Sequence, residues 1–129
     1  MLGSGALDPR RGTIGAHHLL HEPLDIRLEE RGDTAVVLIS GACDVSRHEH
    51  LRERLLEAEA GGARRIVVDL TALRFIDSIG LRLVIAAWNR ARQEGHRFSV
   101  ALATSGQVQR VFALTGVDQI VPVAVPHPA

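Results

Sequence analysis

The residues that could do chemistry gather where an apolar strand runs into a helix, in Ile66-Val67-Val68-Asp69-Leu70-Thr71-Ala72-Leu73-Arg74-Phe75-Ile76-Asp77-Ser78-Ile79-Gly80-Leu81. Sites in open α/β sheets form at the carboxyl ends of strands, and Asp77 and Ser78 stand there, at the amino end of the next helix. Two roles fit Ser78. As an N-cap, its hydroxyl accepts a bond from an amide one turn into the helix. As a phosphoacceptor, it would carry about −1.5 to −2 charges at a helix end that stabilises anions, with Asp77 opposing as a like charge next door. The two roles are compatible, because a capping hydroxyl stays near solvent.

Catalytic readings of the same stretch fail on spacing. Ile76-Asp77-Ser78-Ile79-Gly80 superficially resembles a hydrolase nucleophile elbow, but Ile76 stands where that turn needs glycine. No acid and histidine follow in the required order either. A phosphate-cradling turn wants glycines, and Leu73-Arg74-Phe75-Ile76 has none. All 15 Lys+Arg residues are arginine, so there is no lysine nucleophile. The single cysteine, Cys43, excludes an intrachain disulfide, a CxxC redox pair and a multi-cysteine zinc site; it reads as a small buried residue rather than a redox sensor. His17, His18 and His21 lack any other ligand type nearby and read as part of a polar arm. Asp44 caps or closes a loop before the first helix. Asp69 caps a nearby loop or pairs with Arg65 or Arg74. No enzyme activity, metal or cofactor is expected.

With 129 residues, 46% of them apolar, the chain is one domain able to build its own core. Fifteen acids balance fifteen bases, so no overall field draws it to nucleic acid or an anionic membrane. The absence of tyrosine, a single tryptophan and the isolated Arg64-Arg65 pair also argue against nucleic-acid binding. No apolar run approaches the roughly 20 residues of a membrane span, and the first residues lack a secretory pattern. A soluble, cytoplasmic protein is expected.

Residues 1–23 read as a flexible tail, 24–125 as the domain and 126–129 as a short terminal tail. Leu24 to Glu29 alternates as a half-exposed strand, Arg31-Gly32-Asp33-Thr34 turns, and Ala35 to Ile39 forms a central strand closed by Gly41. Ser46-Arg47-His48-Glu49 reads as a capping box, with Leu51, Leu55 and Ala58 on one helical face and Gly61-Gly62 at the stop. Ile66 to Leu70 is a strand, Thr71 to Asp77 a short link, and Ser78 to about Glu94 a helix. Phe98, Val100 and Leu102 alternate in a strand. Val108, Val111, Phe112 and Thr115 mark a short helix ended by Gly116. Ile120 to Val123 is a last strand, demoted to an edge by Pro122. The order β-β-α-β-α-β-α-β predicts an α/β mixed sheet: an antiparallel hairpin, then parallel β-α-β units, with helices mainly on one face.

On the helix after Ser78, Leu81, Val84, Trp88 and Ala91 share the core side, flanked by Ile85 and Ala87, while Arg82, Asn89 and Gln93 form a polar strip. Ile79, Leu83 and Ala86 fall between that strip and Arg90, nearly opposite the core. They are either scattered surface apolar residues or a patch for a partner, contiguous with Ser78.

These residues resemble a known family, the STAS domains, and within it the bacterial anti-sigma factor antagonists. The likeness rests on Gly41-Ala42-Cys43-Asp44, on Val67-Val68-Asp69-Leu70, on Phe75-Ile76-Asp77-Ser78-Ile79-Gly80-Leu81, on Gly95 and on Leu114-Thr115-Gly116-Val117. It runs in register over about residues 24–125. The resemblance implies a switch. The unmodified domain binds an anti-sigma factor that is also a serine kinase of the histidine-kinase-like ATPase type, and so frees a sigma factor. Phosphorylation of the serine after the motif aspartate, here Ser78, releases it, and a serine phosphatase resets it. By the same resemblance Asp44 helps shape the site. The partner surface is then expected to include Asp44, Asp77, Ile79, Gly80, Arg82, Leu83 and Ala86, with a weak homodimer left open.

Four departures from the family pattern stand out. Ile79 replaces a common second hydroxyl residue. Arg82 replaces a common glycine and lies four residues beyond Ser78, placed to pair with a phosphate or with an acidic partner. Ala42 and Cys43 replace an acidic residue and a leucine. The family's terminal helix is expected to be missing after Pro126. The alternative within the fold is a STAS module that does not switch, acting as a scaffold of a signalling complex or as a cytoplasmic accessory of a lipid or anion transporter.

Overall fold

The structure, a computed structural model, describes residues 23–124. Apart from Pro23, the tail expected over residues 1–23, with its three histidines, lies outside the described residues, as does 126–129. Five strands form one sheet in the order β1-β2-β3-β4-β5: β1 Asp25–Arg31, β2 Thr34–Cys43, β3 Arg65–Ile76, β4 Arg97–Ala101 and β5 Val123–Ala124. β1 and β2 are antiparallel and the remaining pairs are parallel. The helices are α1 His48–Ala60, α2 Ser78–Gln93 and α3 Gln107–Thr115. The element order and the mixed pairing are as the sequence predicts.

Alternation sorts the sheet's two faces. Val37, Ile39, Val68, Leu70 and Val100 are buried against Leu51 and Leu55 of α1, Val84, Ala87 and Ala91 of α2, and Phe112 of α3. Thr34, Leu38, Val67, Asp69 and Ser99 on the other face are only partly covered.

Two strands run further than expected, and this matters for the site. β2 continues through Gly41 to Cys43, and β3 continues through Thr71 to Ile76, so the expected link is strand. The sequence hid this because the pairing is irregular. Leu38 pairs with Asp69 but Ser40 with Ala72, and Gly41 pairs with Leu73 but Ala42 with Phe75. Each shift inserts one extra residue into β3, a bulge that breaks simple alternation. Asp69 accepts from the Thr71 amide at 2.9 Å and its hydroxyl at 2.6 Å, the capping alternative read from the sequence. Gly41 has φ +92°, and a Cβ there would lie 1.8 Å from the Pro23 carbonyl oxygen. It is glycine because two backbones meet, not because the strand ends.

The expected capping box is absent. Asp44, in extended conformation, caps a 3-10 turn at Val45–Arg47, its Oδ1 accepting from the Ser46 amide at 3.1 Å and hydroxyl at 2.8 Å. The carboxylate two residues upstream takes the serine hydroxyl that was to cap α1, which starts only at His48. β5 is also shorter than expected. Ile120 and Val121 donate to the Val117 carbonyl in a 3-10 turn, and Pro122 joins the sheet only by accepting from Val100.

α1 and α2 are tied by a two-pronged ion pair. Arg90 donates from Nε to Glu59 Oε1 at 2.7 Å and from Nη2 to Oε2 at 3.0 Å. Glu59 is buried, and its bond to the guanidinium raises the pKa of Arg90 above the ordinary arginine value, against the opposing effect of burial. Glu59→Ala should leave that cation unpaired and lower unfolding stability in urea by about 2 kcal/mol, below the full cost of breaking a buried pair because Arg90 remains partly solvated.

Candidate functional site

The site lies where β2 and β3 end side by side. The Asp77 amide donates to the Cys43 carbonyl at 3.3 Å, which joins the turn carrying Asp44 to the start of α2. A side chain from α3 fixes the end of β3. Gln107 accepts from the Ile76 amide and donates to the Ile76 carbonyl, both at 2.9 Å. One amide side chain thus satisfies both backbone groups of the residue before Asp77, where the parallel ladder with β4 has already ended.

Asp77, not Ser78, is the N-cap. Its backbone is extended and its Oδ1 accepts from the Gly80 amide at 2.8 Å. Ser78 is therefore the first helical residue; its side chain is exposed and makes no hydrogen bond among the described residues. The carboxylate is held from a second side. His48 Nε2 lies 2.9 Å from Oδ1 and 2.8 Å from Oδ2 of Asp77. Sequence reading missed His48, and its only signal was a histidine at the start of a helix whose N-terminus must meet the strand ends.

Under this cap sits Cys43, fully buried. Its thiol pKa is pushed up from 9.0 to about 12, by burial first and then by the negative charges of Asp77 and Asp44. Gly80 is buried against it, and a Cβ on Gly80 would lie 2.9 Å from both Cys43 Sγ and Ile76 Cγ1. Glycine lets the first turn of α2 settle onto the end of β2, so Gly80 shapes the surface from beneath instead of lining it.

The expected apolar patch is narrower than the helical projection predicts. Ile79 is 44% exposed, but Leu83 and Ala86 are half-buried and Leu83 packs against the core. The core face is correspondingly shifted: Leu81, Val84, Ala87 and Ala91 are buried, while Trp88 is half-covered under the Arg92 guanidinium, 4.8 Å from its ring centre. A flanking helix, α1, covers part of the side that a sheet alone would leave open. The turn beside the site adds an apolar residue that sequence reading passed over, Val45, 79% exposed directly after Asp44. Arg82 is exposed one turn beyond Ser78.

Gly80→Ala should cost roughly 1–3 kcal/mol, as overpacking in a tight contact does, and Cys43→Ala in the same chain should recover part of it. Urea titration of both single variants and the double variant measures the coupling; purely additive losses would show that the Cys43 contact is not the one that matters. Because the thiol is neutral in the fold and ionises near 9.0 when unfolded, its contribution is complete below about pH 9 and fades as pH rises towards 12. The Cys43→Ala variant should lack this alkaline loss of stability.

The family description "Mlab, STAS domain" matches residues 26–122. BtrV of Bordetella bronchiseptica is 32% identical over 89 residues, covering 69% of this chain and 76% of its own length. The anti-sigma-F factor antagonist RsfB of Mycobacterium tuberculosis is 26% identical over 98 residues, covering 76% of this chain and 79% of its own. A crystal structure of an anti-sigma factor antagonist from Mycobacterium paratuberculosis superposes with TM-score 0.74 at 26% identity, over 81% of this chain and 87% of that one. The match in sequence and in fold spans the bulged strand, the capped helix and the sheet that carries them, and on that ground the chain belongs to the STAS domain family.

Proposed function

We propose that this chain is an anti-sigma factor antagonist whose unphosphorylated form binds an anti-sigma factor that is also a serine kinase, and whose phosphorylation at Ser78 turns that binding off. The observation that carries the reading is the division of labour at the start of α2. Asp77 takes the cap, so the Ser78 hydroxyl is left exposed and uncommitted, open to an ATP-bearing kinase. The relatives named as anti-sigma factor antagonists support the partner class.

The docking surface in this reading is formed by Asp44 and Val45 on one side and by Asp77, Ile79, Arg82, Leu83 and Ala86 along α2. Ile79 and Val45 provide apolar area to desolvate, and the carboxylates and Arg82 set the register of a charged partner. A phosphate on Ser78 adds about −1.5 to −2 charges beside a carboxylate already present and next to the exposed Ile79. Docking would then have to desolvate a doubly charged group, which costs more than the small apolar contact returns. The domain acts as a binding protein rather than an enzyme, working in the cytoplasm with a serine phosphatase to reset it. Among the described residues no helix is long and apolar enough to cross a membrane.

Incubation with the cognate kinase and ATP, followed by mass spectrometry, should place one phosphate on Ser78. Ser78→Ala should abolish labelling yet bind the anti-sigma factor within about twofold of the parent, while Ser78→Glu should bind roughly tenfold or more weakly. Labelling at another residue defeats the site assignment, and unimpaired binding by Ser78→Glu together with the phosphorylated protein defeats the switch. Arg82→Gly should change affinity in at least one phosphorylation state, measured by calorimetry; equal affinities in both states would remove any role for that arginine.

A further inference from the structure

Three chemically different side chains converge beneath the start of α2. Cys43 ends β2, His48 opens α1 and Asp77 caps α2. Their ligand-type atoms, Sγ, an imidazole nitrogen and a carboxylate oxygen, all lie within 4.8 Å of one another. We propose that this triad is a binding site for a divalent cation of the zinc class, completed by solvent in a fourth position.

The donor set selects the ion. Thiolate, imidazole and carboxylate together suit Zn²⁺ and its spectroscopic stand-in Co²⁺, whereas magnesium and calcium want oxygen alone. The dimensions are close. Bonds of about 2.0–2.3 Å to the metal put tetrahedral ligand atoms roughly 3.3–3.8 Å apart. His48 and Asp77, now 2.8 Å apart through a hydrogen bond, would part by about half an ångström, while Sγ would swing inwards. Asp77 and Asp44 place negative charge beside the sulfur, which attracts a cation but opposes a bare thiolate, so the thiol gives up its proton only as the metal arrives. The His48 and Asp77 side chains are 17% and 27% exposed, so the ion enters from their side and meets the buried sulfur last.

Occupancy need not disturb the cap. Asp77 Oδ1 keeps the Gly80 amide, and Oδ2, which now faces only His48 Nε2, turns to the metal. Nε2 offers its lone pair once the ring proton resides on Nδ1, and the thiol proton leaves to solvent, so each ion bound releases one proton. The metal would fasten together the end of β2 and the starts of α1 and α2. The site is defined whether or not Ser78 is modified, and its test requires neither kinase nor partner.

The test is titration of the full chain with Co²⁺, followed by displacement with Zn²⁺. One equivalent should bind with a thiolate-to-cobalt charge-transfer band, and Zn²⁺ should bleach it and raise the melting temperature. Cys43→Ala should abolish the band. His48→Gln, whose amide can keep a hydrogen bond to Asp77 at this largely covered position, should weaken binding roughly tenfold or more, the loss expected for removing one of three protein ligands. Substituting alanine for His17, His18 and His21 together should leave the band intact. Absence of a charge-transfer band in the parent overturns the proposal. So does binding that survives both Cys43→Ala and His48→Gln but disappears with the three tail histidines.

Discussion

The carboxylate of Asp77 is the interaction on which the site depends. It accepts from the Gly80 amide and from His48, while its own amide donates to the Cys43 carbonyl. The first contact starts α2, the second fastens α1 to it, and the third holds the end of β2 against both. Four amides at a helix start lack partners within the helix, and a side chain that satisfies one of them contributes about 1 kcal/mol. Because an aspartate does this from the residue before the helix, the serine that follows is spared. That serine is exposed at the positive end of a helix, a setting that favours an anion.

That arrangement requires β3 to arrive at Ile76 in a defined register. The two bulges let twelve residues of β3 run beside ten of β2, with nine of the latter in paired positions. Gln107 then closes the strand's last backbone groups from α3. The site is built on rigid elements from three directions, with strand ends below, α1 to one side and α3 to the other. Precision of this kind is what a small docking surface needs, since little apolar area is available and charge placement must supply the discrimination.

The exposed chemistry is correspondingly spare. Ile79 and Val45 are the large apolar residues left open near Ser78, and Leu83 is diverted into packing against the core. In the proposed switch, one added dianion suffices to turn off a surface with so little hydrophobic area, because the charge does not have to overcome a large buried patch. The ionic tie between Glu59 and Arg90 lies further along α2, where it holds α1 and α2 together without sharing a residue with the proposed docking surface.

Much was legible in the sequence alone. Periods of two and of three to four residues, with glycines at the turns, fixed the order of strands and helices, since burial on one face demands those periods. The aspartate-serine pair after an apolar strand marked the site, and a family resemblance carried by the same residues supplied its expected role. What the chain order could not reveal were events that depend on neighbours distant in sequence. Thr71 to Ile76 looked like a link because bulges erase alternation, and only pairing with β2 makes them strand. A local competition was hidden as well: Ser46 and Ser78 both looked like caps, but the carboxylates just before them, Asp44 and Asp77, take amides two and three residues on because a charged acceptor binds more strongly, and Asp44 does so for the short turn, leaving α1 without a side-chain cap. His48 meets Asp77 across 29 residues of chain, and Gln107 meets Ile76 across 31. Local sequence sets which residues can cap or pair; the packing of α1 and α3 around the end of β3 decides which distant partners they meet, because hydrogen bonds form between groups that the whole fold brings within reach.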